Sequence, residues 1–299
     1  MSKKYTFAVV GGDHRQVVII KKLLMQGHYV KVFSLGAPIG DVVGAEISSS
    51  IERALSGCDV LLLPLPLSRD GTNINLTSSS EAVGIADVIK LCSKNKGSVI
   101  IGGLISGEVK NAAQAADVEI IDYYESEELQ QKNALPSAEG TIMVAMENTD
   151  RVIEGMRVLI CGYGRIGKIL ADKLKLLGAA VSVAARRDEV LCEIAMCGFT
   201  PVDLRTFDEL ANACNTSEVI LNTIPRQIFT RRVIDKTDNA PLYIEVASSP
   251  GGIDIPCARS RGLRLVFAPS LPGKYAPASA GEYIFETIKD ILSKRGMKI

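Results

Sequence analysis

Apolar residues in this chain fall into short unbroken runs, separated by stretches in which they recur every third or fourth position. The runs at 7–10, 30–34, 60–63, 99–101 and 118–121 are bounded by Gly, Pro or Asp and do not alternate with polar residues. That pattern predicts strands buried on both faces, as in a parallel sheet. Between them, residues 16–25, 50–55, 81–93 and 108–116 read as helices, so strand and helix alternate as in an α/β fold. A second series starts after Gly155, with strands at 157–161, 180–184, 219–223, 243–246 and 264–267 and a crossover helix at 166–177.

The expected fold is therefore two Rossmann-like, doubly wound parallel-sheet domains of similar architecture, with no repeat at the level of residues. The first covers 1–136 and the second 151–273, joined by a bridging helix at 137–150. In the segment 136–147, Ile142, Met143 and Met146 share a helical face. A last helix within 274–299 follows Pro277, with Ser279 and Glu282 at capping-box spacing and Ile284, Ile288, Ile291 and Leu292 at helical spacing. Gly296 stands where a helix stop belongs. This helix is expected to pack back across the domains, with a ligand cleft between them, and an exposed apolar face at 281–292 would permit a homo-oligomer.

Composition narrows the classes of function. The 299 residues suit two domains, and Lys plus Arg equals Asp plus Glu at 34 each, a net charge of zero. Zero charge argues against nucleic-acid binding and against attachment to anionic lipid. At 47% hydrophobic and 23% charged, the chain buries a core rather than staying disordered. Its seven cysteines include no CxxC, most lie in apolar runs, and the reading is of reduced thiols in the cytoplasm. No apolar run is long enough for a signal-peptide core or a membrane span. With two histidines, no HExxH, no zinc-spaced cysteine pair and no GxSxG, neither a metal site nor a serine nucleophile is expected.

The most informative motif is Gly162-Tyr163-Gly164-Arg165-Ile166-Gly167. It follows an apolar strand and opens a helix, the context a dinucleotide fingerprint demands. Gly162 permits the tight turn, Gly164 lets backbone approach a pyrophosphate, and Gly167 lets helix and strand pack closely. The alternative is a plain strand-to-helix turn. At the end of the next strand, Ala185 stands where an NAD site usually carries an acid, and Arg186 and Arg187 follow. Loss of the carboxylate and gain of guanidinium favour NADP over NAD, unless the pair is only a solvated basic turn. Asn222, Thr223, Ile224 and Pro225, then Ala247 and Ser248, lie at later strand ends where such sheets bind ligands, although both could be ordinary turns. The first strand also ends in glycine, at Gly11-Gly12-Asp13-His14-Arg15, but lacks the third glycine and reads as a loop that has lost dinucleotide binding.

The glycine loop through Lys168, Asn133-Ala-Leu-Pro-Ser-Ala-Glu-Gly140 before it, Leu271-Pro-Gly-Lys-Tyr-Ala-Pro277 after it and Gly-Gly-Asp-His-Arg at the start together resemble the dipicolinate synthase A-subunit family of spore-forming bacteria. The resemblance runs over nearly the whole chain. More distantly, the layout is similar to formate/glycerate and alanine dehydrogenases. The resemblance implies oxidation of a dihydrodipicolinate-type precursor from the lysine pathway to pyridine-2,6-dicarboxylate. It also implies a role in sporulation, in the mother cell, and a partner in the form of a flavoprotein-like B subunit.

A dicarboxylate substrate needs cationic or hydroxyl ligands. His14, Arg15, Ser137 and Lys274 are the candidates, with Glu139 to accept a proton or hold a neighbouring cation. Each has a plainer reading: His14 or Ser137 as helix caps, Arg15 and Lys274 as surface charges. His28 reads as a surface turn residue, and Cys161 as packing. Two other functions stay open. One is a dehydrogenase of another small carboxylic acid such as a 2-hydroxy acid, disfavoured because no His follows His28. The other is a nucleotide-sensing assembly subunit without turnover.

Overall fold

A computed structural model of the chain describes residues 3–37, 42–76, 82–95 and 97–299. Among these the chain runs β1 (Thr6–Val10), α1 (His14–Met25), β2 (Tyr29–Phe33), β3 (Glu46–Ile47), α2 (Ile51–Leu55), β4 (Val60–Leu62), α3 (Ile85–Lys94), β5 (Val99–Gly102), α4 (Gly107–Ala115) and β6 (Glu119–Asp122). A 3-10 turn at Tyr123–Glu125 leads into α5 (Glu127–Glu147). Then come β7 (Arg157–Cys161), α6 (Arg165–Leu176), β8 (Ala180–Ala185), α7 (Asp188–Met196), β9 (Thr200–Asp203), α8 (Phe207–Thr216), β10 (Val219–Asn222), α9 (Arg231–Asp235), β11 (Leu242–Glu245), α10 (Ile255–Ser260), β12 (Arg264–Phe267), α11 (Leu271–Tyr275) and α12 (Pro277–Ser293). Glu81, expected to start the third helix, lies outside the described residues.

The described strands form two six-stranded sheets, ordered β3-β2-β1-β4-β5-β6 and β12-β11-β10-β7-β8-β9. Counted from its own first strand, each has the order 3-2-1-4-5-6 of dinucleotide-binding folds. The strand pairs flanking each first strand are parallel. Two α/β units of Rossmann-like topology are thus present, as the run-and-helix pattern predicted. The apolar runs became the central strands because a strand covered by helices on both faces has no polar side: Val60–Leu62 and Val99–Gly102 are buried at every position. The expectation missed β3 and β9, whose residues are largely exposed and carry no such run.

The chain divides into two compact units, Met1–Asn133 with Ala276–Ile299, and Ala134–Tyr275. In the first, α12 lies on α1 so closely that a Cβ on Gly281 would come within 2.7 Å of the Arg15 carbonyl oxygen. Its Ile284, Phe285, Ile288 and Leu292 join the core of β1 and β2. The apolar face expected to be exposed, and to permit a homo-oligomer, is therefore spent inside this unit. In the second unit, Ala138, Ile142 and Ala145 of α5 share a core with Leu170, Ala171 and Leu174 of α6.

Three local expectations are corrected. The helix placed at 137–150 is the later part of α5, which starts at Glu127 and carries Pro136 inside it. Its start is set by the Ser126 hydroxyl, which accepts the Leu129 N–H at 3.3 Å, and by Glu127 and Glu128 in the first turn. Ser137 is consequently mid-helix and not a cap. Likewise Ser279 and Glu282 form no capping box, because α12 begins at Pro277 with no side-chain cap, and Glu282 reaches Lys22 instead at 3.4 Å. His28 is buried, not a surface turn residue: its Nδ1 accepts the Tyr5 N–H at 3.3 Å, giving the edge of β1 a partner. Burial and Lys4 push its pKa down.

Among the described residues, no helix is long and apolar enough to cross a membrane, and no cluster of three or more His, Cys, Asp or Glu could hold a metal. Five cysteines are buried, and Cys192 and Cys197 are exposed.

Candidate dinucleotide site

The loop after β7 has the geometry its glycines predicted. Gly162 sits at φ +102°, and a Cβ there would meet the Thr223 hydroxyl at 2.4 Å. A Cβ on Gly167 would lie 2.0 Å from the Gly162 carbonyl oxygen, so α6 can approach β7 only without a side chain. Gly164 differs: it is the N-cap of α6, exposed, with nothing within 4 Å of the place a methyl would take. No side chain caps α6. A twelve-residue helix thus begins behind an open Gly164, with no side-chain cap at the positive end of its dipole. That arrangement fits the pyrophosphate of a dinucleotide.

Of the neighbouring candidates, some hold the loop and the others are exposed. Thr223 donates from its hydroxyl to the Cys161 carbonyl at 2.9 Å, and Ile224 lies against Gly162. Tyr163 turns its ring onto Phe199, with centroids 6.4 Å apart, and Ile166 packs on the same core. Cys161 is fully buried, which pushes its thiol up and suits the packing role expected of it. Arg165, Arg186 and Arg187 are exposed at the start of α6 and the end of β8, and Pro225 and Ser248 are exposed in later loops.

Asn222 is buried and is a clamp: its amide donates to Glu245 Oε1 at 2.8 Å and to the Ile224 carbonyl at 3.0 Å. Glu245 also accepts the Ala247 N–H at 3.2 Å and the Gly252 N–H at 2.9 Å. Burial pushes the Glu245 carboxyl up, against the pull of these donors. The network ties the ends of β10 and β11 together beside a cleft of about 300 Å³ lined by Glu245, Ala247, Pro250 and Phe267. Sequence reading gave Glu245 no role of its own. Its signal was a lone carboxylate closing an otherwise apolar strand.

A second missed cluster lies at the ends of β8 and β9. Asp203 is the register partner of Ala185, and the Leu204 N–H donates to the Ala185 carbonyl at 2.9 Å. Arg205 grips Asp203 through Nε at 3.0 Å and Nη2 at 2.7 Å, and Asp188 through Nη1 at 3.1 Å and Nη2. Those bonds hold both carboxyls below their usual range. The spacing Asp-Leu-Arg was the available signal.

The loop after β1 occupies the same place in its sheet and is closed. Asp13 is the N-cap of α1: its carboxylate accepts the Arg15 N–H at 3.0 Å, while its own N–H donates to Gln16 Oε1 at 3.2 Å. On the outer side, Asn75 and Leu76 would each stand 2.9 Å from a Cβ on Gly11. Arg15 is neither a surface charge nor open to solvent. At 4% exposure it binds Asp13 through Nε at 2.9 Å and Nη2 at 2.8 Å, and Nη2 also donates to the Leu65 carbonyl at 2.5 Å. Burial pushes the Asp13 carboxyl up, but the Arg15 hydrogen bonds and charge outweigh it and hold it below its ordinary value.

The other substrate candidates are placed as follows. His14 is exposed as the first residue of α1. Ser137 is buried in α5, and its carbonyl accepts the Thr141 hydroxyl at 2.7 Å. Glu139 pairs with Lys173 at 2.9 Å. Lys274 donates to the Tyr275 hydroxyl at 2.9 Å, which raises its pKa, and that hydroxyl donates to Glu147 at 3.1 Å. His14 and Arg15 belong to the first unit and the other three to the second.

Comparison with known proteins follows the same division. The family profile for the N-terminal domain of the dipicolinate synthase A subunit matches residues 6–124. The one described as D-isomer specific 2-hydroxyacid dehydrogenase, NAD binding domain, matches residues 129–240. The chain is 30% identical over 288 residues to the dipicolinate synthase A subunit of Bacillus subtilis strain 168, an alignment covering 96% of this chain and 95% of that one. The crystal structure of the dipicolinate synthase A subunit from Bacillus halodurans superposes with a TM-score of 0.82 at 26% identity, covering 98% of each chain. A transhydrogenase from Sinorhizobium meliloti shares the fold at a TM-score of 0.67 and 17% identity, covering 97% of this chain and 94% of that one.

Proposed function

This chain belongs to the dipicolinate synthase A-subunit family, and we propose that it oxidises a dihydrodipicolinate-type heterocycle to pyridine-2,6-dicarboxylate with NADP as the hydride acceptor. The single observation that carries the cofactor half is the uncapped start of α6 behind the open Gly164. The match of residues 129–240 to an NAD binding domain supports a nicotinamide cofactor. The exposed Arg186 and Arg187 after Ala185 favour the 2′-phosphate form. The substrate half rests on the name of the relatives.

When bound, the nicotinamide supplies the hydride-accepting carbon. The chain's own task is to orient the ring and hold two carboxylates, since forming an aromatic product supplies much of the driving force. Lys274, exposed in the unit that carries the glycine loop, is proposed as a carboxylate ligand, and His14 of the other unit is exposed. Arg15 is a positioning residue that fixes the Asp13 loop from which His14 projects. Glu139 is assigned to hold Lys173, and Ser137 to the packing of α5. A flavoprotein-like B subunit is the proposed partner.

Calorimetric titration of the purified chain with NADP and NAD, repeated on Arg186→Ala and Arg187→Ala, tests the reading. NADP is expected to bind at least tenfold tighter, about 1.4 kcal/mol, and the substitutions to erase that margin. Absence of binding by either nucleotide in the micromolar range would sink it. Turnover with and without the partner then separates a dehydrogenase from a sensor.

A further inference from the structure

We infer that Arg205 sets the cofactor preference of this site without touching the cofactor, by holding Asp188 and Asp203 away from the ribose end of β8. The inference rests on the NADP reading above and adds to it the group that makes the reading possible.

The end of β8 carries no acid of its own, because Ala185 stands there. Yet two carboxylates are close by. Asp203 ends the adjacent strand in direct register with Ala185, and Asp188 opens α7 three residues beyond it. Either could do what a strand-end acid does in an NAD site, accept from the ribose 2′-hydroxyl and repel a 2′-phosphate. Arg205 occupies both. Its guanidinium meets Asp203 through two nitrogens and Asp188 through two, and its own N–H donates to Asp203 Oδ1 at 2.8 Å. The Asp203 N–H is in turn accepted by no strand neighbour but by Glu209 Oε2 at 3.0 Å, which fixes the turn. Fork-shaped pairing of this kind needs the planar guanidinium of Arg; a Lys ammonium would meet the acids only as a point charge. Meanwhile no hydrogen bond or ion pair engages the Arg186 or Arg187 guanidinium among the described residues, and both stay exposed. Both acids are engaged and one of their two charges is offset, while the Arg186 and Arg187 guanidinium groups are left exposed. A preference for phosphate over hydroxyl follows from that difference in partnering.

The test uses the full chain and measures the ratio of NADP to NAD affinity by calorimetry in three forms: wild type, Arg205→Ala, and the triple variant Asp188→Asn, Asp203→Asn, Arg205→Ala. Releasing the carboxylates in Arg205→Ala is expected to lower the ratio at least tenfold, with NADP weakened and NAD bound as well or better. Neutralising those carboxylates in the triple variant is expected to restore the ratio to within about threefold of wild type, a rescue that a purely structural loss would not show. If wild type prefers NADP and Arg205→Ala keeps the same ratio, this inference fails alone. If the triple variant stays as low as Arg205→Ala, Arg205 contacts the phosphate itself and the positioning role is wrong. If wild type shows no preference for NADP, the cofactor reading fails first and takes this inference with it.

Discussion

The two glycine loops of this chain sit at the same point of the same topology and do opposite things. In each, the helix begins four residues after the first strand ends, at His14 after Val10 and at Arg165 after Cys161. Counting from the N-cap, Asp13 stands where Gly164 stands and Gln16 where Gly167 stands. The second loop leaves its helix dipole open. The first fills the same place with a carboxylate and locks it with Arg15, the reciprocal Gln16 bond and the chain at Asn75. A phosphate would have to displace a covalently attached anion already bound to those N–H groups. The fold therefore repeats one strand–loop–helix turn, and Asp13 with Arg15 fills in the first copy the place that Gly164 leaves open in the second.

The comparison can be broken most sharply at Arg15. Arg15→Ala strands the Asp13 carboxylate in a half-buried site and removes the donor to Leu65, so urea unfolding at pH 7 should show a loss of about 3 kcal/mol. Nucleotide affinity should not change. Asp13 has a lower pKa folded than unfolded, so its contribution is complete above the ordinary carboxylate range and disappears as pH falls through the folded value. The gap between wild type and Arg15→Ala should therefore narrow below about pH 4. A constant gap down to pH 2 would deny the pair its place as the plug.

Next in size is Gly167→Ala. A methyl 2.0 Å from the Gly162 oxygen forces α6 off β7, at a cost of about 2 kcal/mol in unfolding and with nucleotide binding lost. Unchanged binding would mean that the loop is not the pyrophosphate site.

The smallest effect on stability belongs to Gly164→Asp, which copies the first loop's cap into the second. Stability should rise by a few tenths of a kcal/mol, because Asp caps slightly better than Gly. Nucleotide affinity should fall by more than tenfold, read by the same calorimetry. Retained affinity would show that a carboxylate at this position does not close the loop.

Most of the architecture was legible in the sequence for a simple reason. A strand covered on both faces must be apolar throughout, and β1, β4, β5, β7 and β10 announce themselves by that. The short, largely exposed edge strands β3 and β9 have no such obligation and were missed, whereas the edges β6 and β12 were read from their apolar runs. Pro136 misled because proline usually opens a helix, whereas α5 carries it internally and takes its start from Ser126 and two acids. The second glycine loop was readable because glycine spacing encodes close approach directly.

What the sequence by itself determined was most of the buried strands, that there are two α/β units, and that the glycines after β7 allow a close approach of helix to strand. The tertiary structure alone decided the partnering of charges. Arg15 reads as a surface or substrate cation until the fold buries it on Asp13, and Arg186, Arg187 and Arg205 look alike until register sets Asp203 beside Ala185 and hands both acids to Arg205. Local pattern reports what each residue prefers around itself. Which opposite charge reaches it depends on strands that are distant in the chain and adjacent in the sheet.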